Sequence, residues 1–235
     1  MAVRPEVKPF LIGASLVFFA PGLALIFVHN TDKLALALFL AGGLVCEIFV
    51  FFFRDPDRKV IADSSSVLSG ADGVVSQIAE VEEGRYLKTR AIRISVFLNL
   101  FDVHVNRTPI PGAVVSAEYY PGKHVFAFLD KASDDNQHSA ILIQGEKTKC
   151  LVKQIVGPVA RRVVFWIKPG QILAPGERIG MMKFGSRLDV FLPKSDVVVT
   201  VKKGDRVRAG ETVLASIKNE SIKIEERTHE SRYRN

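Results

Sequence analysis

Three short segments of this chain carry polar groups in settings where they could do chemistry. The first is Phe53-Arg54-Asp55-Pro56-Asp57-Arg58, a charged knuckle directly after an apolar stretch. The second is Phe101-Asp102-Val103-His104-Val105-Asn106-Arg107, which sets an imidazole among polar neighbours after another apolar run. Imidazole exchanges protons near neutral pH, so His104 is a candidate acid or base. The third is Lys183-Phe184-Gly185-Ser186-Arg187-Leu188, where a serine hydroxyl follows a glycine. Such a hydroxyl is a nucleophile once a base activates it. Taken singly, each segment has a plainer reading: a juxtamembrane turn, a structural histidine and a tight turn.

Other chemistries lack their residues. The chain has no Walker phosphate loop, no Gly-x-Gly-x-x-Gly and no Gly-x-Ser-x-Gly elbow. Its five histidines, at 29, 104, 124, 138 and 229, show no helical metal spacing. Cys46 and Cys150 have no zinc-site neighbours and are too few for a disulfide scaffold, so no metal is expected. Lys and Arg number 32 against 25 Asp and Glu, a net charge of +7, which suits an anionic partner. The basic residues are dispersed without interleaved aromatics, which speaks for an anionic bilayer and against nucleic acid. With 48% apolar and 24% charged residues, a mainly disordered chain is excluded.

The elements that must position these segments fall into two textures. Phe10 to Val28 is 19 residues without a charge, and Leu34 to Phe53 is 20 residues with one, Glu47. As helices, each could cross a hydrocarbon core roughly 30 Å thick. Only five residues separate them, so 1–53 reads as a transmembrane or membrane-embedded helical hairpin. A cleaved signal peptide would not be followed at once by a second apolar stretch. Arg4 and Lys8 flank one end and Arg54, Arg58 and Lys59 the other, against Lys33 alone in the connector, so both ends are expected on the cytoplasmic side. Pro21 and the intramembrane Glu47 favour a shallow hairpin over two straight spans.

From Arg54 short β-branched runs alternate with Pro-Gly turns. Strands are predicted at Val74–Val81, Ala91–Leu98, Ala113–Tyr120, Ala140–Gln144, Cys150–Val156, Arg162–Ile167, Leu188–Leu192, Val197–Val201 and Thr212–Ile217. The fold class is mainly β: a sandwich-like catalytic domain over 54–224, then a charged tail over 225–235. Two turns are alike, Ala71-Asp72-Gly73 and Lys203–Glu211, and the second is similar to the turn of biotinyl and lipoyl carriers. A lipoylation-like Asp130-Lys131-Ala132 precedes that turn instead of following it by a strand, so a carrier is not expected.

In their order the segments resemble the phosphatidylserine decarboxylase proenzymes, in the short form of bacteria and archaea. The resemblance rests on Phe-Arg-Asp-Pro at 53–56, Ala-Asp-Gly-Val at 71–74, Phe-Asp-Val-His at 101–104, Tyr-Pro-Gly-Lys at 120–123 and Gly-Ser at 185–186. It implies self-cleavage between Gly185 and Ser186. The Ser186 oxygen attacks the Gly185 carbonyl, the amide becomes an ester, and elimination leaves dehydroalanine, which hydrolyses to a covalent pyruvoyl cofactor. Two chains result, 1–185 and 186–235. The pyruvoyl ketone would take up the amine of phosphatidylserine and its conjugated carbonyl would accept electrons as carbon dioxide leaves, giving phosphatidylethanolamine.

The resemblance also implies that Asp72 supports self-cleavage and that His104 serves decarboxylation. A further family histidine, three positions on, is Arg107 here, which cannot be a base at neutral pH. Either His104 serves both steps or another group is the base. Arg187 puts a fixed charge beside the reacting centre, for a substrate carboxylate or phosphate, or else as a solvent-facing turn residue. A decarboxylase of another serine phospholipid such as archaetidylserine would share this chemistry. The rival of another class is a non-catalytic membrane adaptor with a carrier-like β domain. The expected partners are a phospholipid and a membrane; a homo-oligomer is compatible with the sequence.

Overall fold

The computed structural model describes residues 2–28, 31–60, 63–122, 136–157, 163–182 and 186–218. The chain divides into two compact units, one ending at Asp57 and one starting at Arg58.

The first unit is a helical hairpin. Its arms, Pro5–Leu25 and Asp32–Phe52, are each 21 residues, long and apolar enough to cross a membrane. The first arm contains α1 (Lys8–Ala14) and α2 (Ala20–Leu25), joined by a π-turn over Ser15–Phe19 in which the Ala20 N–H donates to the Ser15 carbonyl. Pro21 accounts for the widened turn. It brings no N–H for the Val17 carbonyl and its ring crowds that oxygen, so the turn before it opens by one residue. The second arm is α3 (Asp32–Phe52). Its Gly42 lets the arms touch: a Cβ there would lie 2.8 Å from the Phe18 Cβ. Leu16 and Leu40 stay 66% and 67% exposed, a pattern compatible with an apolar surrounding. Arg54 and Asp55, where sequence places the start of the soluble domain, form β2 (Arg54–Asp55), which pairs with β1 (Ala2–Val3) and stays with the hairpin.

The second unit is built of antiparallel strands: β3 (Ser66–Leu68), β4 (Gly73–Glu83), β5 (Thr89–Leu98), β6 (Val105–Arg107), β7 (Gly112–Tyr120), β8 (His138–Gln144), β9 (Lys149–Val156), β10 (Val163–Phe165), β11 (Ile172–Leu173), β12 (Arg178–Met182), β13 (Ser186–Pro193), β14 (Val197–Val199), β15 (Arg206–Val207) and β16 (Val213–Ile217). Eight form one sheet in the order β11-β7-β8-β9-β13-β5-β4-β15. Two three-stranded sheets, β10-β12-β6 and β14-β16-β3, complete the domain. Alternation sends Ile94, Val96, Val152, Leu188 and Val190 to the large sheet's inner face, where they pack with Val67, Ile179, Leu214 and Ile217 of the small sheets. The architecture is thus mainly β and sandwich-like, as the sequence pattern implies. The carrier-like 130–132 and the tail from 219 lie outside the described residues.

Candidate active site

Ser186 is the first residue of β13, which runs through the middle of the large sheet. It faces Leu98 on β5 and Val156 on β9. Register puts it on the inner face with Leu188 and Val190. It is fully buried, and its Oγ has no hydrogen bond among the described residues. A buried hydroxyl without a partner is costly unless the site has a use for it. Gly185, Phe184 and Lys183 lie outside the described residues.

His104 reaches the same place from another direction. The chain leaves β5 at Leu98, turns through Asn99–Asp102, and pairs with β12. Met182 N–H donates to the His104 carbonyl at 3.2 Å, extending the Met181–Val105 pairing by one residue. Met182 stands four residues before Ser186, and Leu98, six before His104, lies beside Ser186. Both connections are short and keep His104 at the Ser186 end of the large sheet. The His104 ring is buried, with Nδ1 2.9 Å from the Asp102 carbonyl oxygen. A carbonyl only accepts, so Nδ1 carries the proton and Nε2 holds the lone pair of the neutral ring. That tautomer is a base at Nε2.

A polar chain that sequence reasoning did not find runs beside it. Asn106 sits two residues beyond His104 on β6. Its Oδ1 accepts from Gln154 Nε2 at 2.8 Å, and Gln154 Oε1 accepts from Ser139 Oγ at 2.7 Å. All three are fully buried. A Cβ on Gly180 would come within 2.9 Å of Gln154 Nε2, so the glycine leaves the amide its room. This chain fixes the Asn106 amide with Nδ2 as a buried donor that has no hydrogen bond among the described residues. Gln154 faces Leu188, and is therefore the diagonal neighbour of Ser186.

Asp72 stands apart from these groups. Its Oδ2 accepts from Arg58 Nη2 at 2.7 Å and its Oδ1 from the Ala209 N–H at 2.8 Å. Arg58 also approaches Glu211 Oε2 at 3.5 Å. The two similar turns of the sequence therefore meet, β15 pairing with the head of β4. Gly73, at φ +149°, lies so close to β5 that a Cβ would sit 2.1 Å from the Phe97 oxygen. Asp72 thus sits two strands, roughly 10 Å, from Ser186 across the same end of the sheet. Arg107 braces this end: its N–H donates to Gly70 O at 2.9 Å and its Nη1 to Gly176 O at 3.0 Å.

Arg187 points to the sheet's other face and is 2% exposed. Its Nε lies 2.9 Å from Asp189 Oδ1 and its Nη2 donates to Oδ2 at 3.1 Å. A substrate anion would have to displace a buried carboxylate to reach it. His138 shares that outer face, its ring stacked on Tyr120 at 4.9 Å and its Nδ1 2.7 Å from Asn136 O. Nearby, Tyr86 and Tyr120 hydroxyls lie 2.6 Å apart, and burial pushes the Tyr86 phenol well above its ordinary range. Among the described histidines it is therefore His104, not His138, that shares the end and face of Ser186. Of these contacts, only Arg187–Asp189 had a sequence signal, the two-residue spacing that puts both on one side of a strand.

The family model described as phosphatidylserine decarboxylase matches residues 45–215. The chain belongs to the phosphatidylserine decarboxylase family. It is similar to the phosphatidylserine decarboxylase proenzyme of Carboxydothermus hydrogenoformans, 48% identical over 187 residues that cover 78% of this chain and 88% of the relative. The proenzymes of Desulfotalea psychrophila and Geobacter metallireducens are 36% and 38% identical and cover 92% and 90% of this chain, and 99% and 95% of their own lengths. Membership makes the protein a decarboxylase, and the relatives' names mark them as made in precursor form. The adaptor reading falls away.

Proposed function

We propose that this chain cuts itself between Gly185 and Ser186 and, with the pyruvoyl group so formed from Ser186, decarboxylates phosphatidylserine to phosphatidylethanolamine at the cytoplasmic face of a membrane. The observation that carries the reading is Ser186: a buried serine, its Oγ without a hydrogen bond among the described residues, at the head of a central strand, at the end of the sheet where His104 presents a basic nitrogen.

The residues present suit the group. Held between β5 and β9, residue 186 keeps its position after the bond before it breaks. The pyruvoyl supplies a ketone for the substrate amine and a conjugated carbonyl to receive electrons as carbon dioxide leaves. In self-cleavage His104 Nε2 takes the Oγ proton as Ser186 attacks the Gly185 carbonyl carbon, and a proton returns to the departing amide nitrogen as the ester forms. Loss of the Ser186 α-proton then breaks the Cβ–Oγ bond, freeing the carboxyl end of the large chain. In the lipid reaction the same imidazole, charged, delivers the proton that replaces carbon dioxide at the substrate α-carbon. Asn106 Nδ2 is the fixed donor for oxygen that gains negative charge. Asp72, tied to Arg58 and Ala209, is a positioning residue: it locks the turn at the head of β4, beside the end of β5. Arg187 holds β13 through Asp189. The hairpin keeps the domain on the bilayer that contains its substrate.

Intact mass of purified protein tests this directly. Two chains are expected, the smaller of 50 residues (235 − 185) and lighter by one ammonia than a serine-started fragment. A wild-type protein that stays a single chain after prolonged incubation overturns the reading.

A further inference from the structure

From Leu98 to Ile110 the chain is buried almost throughout: Leu98, Asp102, Val103, His104, Val105, Asn106, Thr108 and Ile110 are each at most 9% exposed. Three residues break the run, the half-buried Asn99 and two that are exposed. Leu100 is 55% and Phe101 76% exposed, at the tip of the turn that leads into His104. Large apolar side chains this exposed at a site's edge are the kind of surface an apolar medium receives.

The turn is built to hold them out. Asn99 N–H donates to Asp102 Oδ2 at 2.9 Å, Phe101 N–H to Asn99 Oδ1 at 2.8 Å, and Asp102 N–H to Asn99 O at 3.2 Å. The N–H groups of Asn99, Phe101 and Asp102 are thereby satisfied inside the turn, which lowers the cost of bringing the loop into an apolar medium. Asp102 joins tip to site, since its carboxylate closes the turn and its carbonyl oxygen fixes His104 Nδ1. Other exposed apolar side chains of this unit, such as Ile172 and Val198, lie on β11 and β14, away from this turn.

We propose that Leu100 and Phe101 form a wedge that enters the interface of an anionic phospholipid bilayer and opens the His104–Ser186 site directly onto the lipid surface. The partner follows from chemistry on the page: the tip presents apolar side chains on a turn that uses most of its own backbone donors, the chain carries net charge +7, and its helical hairpin is long and apolar enough to cross a membrane. A lipid then moves its headgroup to His104 while its tails stay among other tails. The inference rests on the proposed function only in taking a bilayer phospholipid as substrate.

The test uses full-length, self-processed protein on vesicles of phosphatidylserine and phosphatidylcholine. Trp166 is the only tryptophan, so Trp166→Phe with Phe101→Trp places a single reporter on the tip. Its emission should shift to the blue on vesicles and be quenched by lipids brominated near the head of the acyl chain. In the otherwise native sequence, Leu100→Ser with Phe101→Ser should lower the ratio of bilayer to short-chain, soluble phosphatidylserine turnover about tenfold, with self-cleavage still complete. The proposal is overturned if the reporter is not quenched on vesicles that the protein turns over. It is equally overturned if the serine pair loses both substrates alike, or if the blue shift appears without lipid as protein concentration rises, the sign of a second copy. Failure of the proposed function shows separately, as wild-type protein that neither cuts itself nor turns over either substrate.

Discussion

The hairpin and the β domain use the same aliphatic side chains in opposite ways. In the hairpin Leu16, Leu36, Leu40 and Leu44 are all more than half exposed, while in the sheet Leu98, Leu151, Leu188 and Leu192 are sealed at 0%. On the proposed function, one unit would gain its stability from the bilayer around it, the other from its own interior. The proposed catalysis belongs to the second, because a reacting serine would need fixed neighbours and only a close-packed core fixes them. The hairpin contributes place; the sheet contributes geometry.

That division can be broken at several points. The largest effect is expected from Ser186→Ala, which should leave one uncut chain on a denaturing gel and no lipid turnover, with membrane association intact. His104→Ala should slow self-cleavage by about 10²- to 10⁴-fold, the span of a lost general base. Material that does mature should turn over lipid as poorly, whereas normal processing with lost turnover would confine His104 to the second step. A chain beginning at Arg58 should still cut itself and accept soluble phosphatidylserine, yet lose about tenfold or more on intact bilayers. Failure to self-cleave would make the hairpin part of the fold. Asp72→Asn should slow processing about tenfold by loosening Arg58, with Arg58→Gln giving a similar loss because both act through one ion pair. The smallest effect is on stability: Leu188→Ala should cost about 3 kcal/mol in urea unfolding of the β domain, while Leu40→Ala, which leaves no internal cavity, should cost it almost nothing.

What the sequence revealed follows the same line. Ala91–Leu98 and Cys150–Val156 announce themselves because β-branched and aliphatic residues run between turns, and such strands lie in the sheet's centre. Val105–Arg107, Arg178–Met182 and Arg206–Val207 carry no such pattern. They are short, and long-range partners make them strands: β6 exists because β12 lies beside it, β15 because β4 does. The site divides likewise. Gly185-Ser186 and Phe101-Asp102-Val103-His104 stand out as local strings. The Asn106–Gln154–Ser139 chain joins residues up to 48 positions apart whose types are ordinary on any surface, so only the fold shows it. Arg58, Asp72 and Glu211 are met the same way, Arg58 and Asp72 14 positions apart and Glu211 brought in from 153 positions beyond Arg58.

The place of β13 has a consequence for how such a protein can be inherited and made. The 50 residues from Ser186 onward supply the strand between β5 and β9, and β14, β15 and β16 besides. Translated alone, that segment would be a few strands without partners, and the segment before it a sheet with its middle missing. Two separate genes for the two chains would have to insert a central strand into a sheet already closing around its gap. One uninterrupted reading frame avoids this, because the strand would be seated before the proposed opening of the peptide bond ahead of it. On the proposed function, the cut would therefore only follow folding, and an uncut or misfolded chain would carry no reactive ketone.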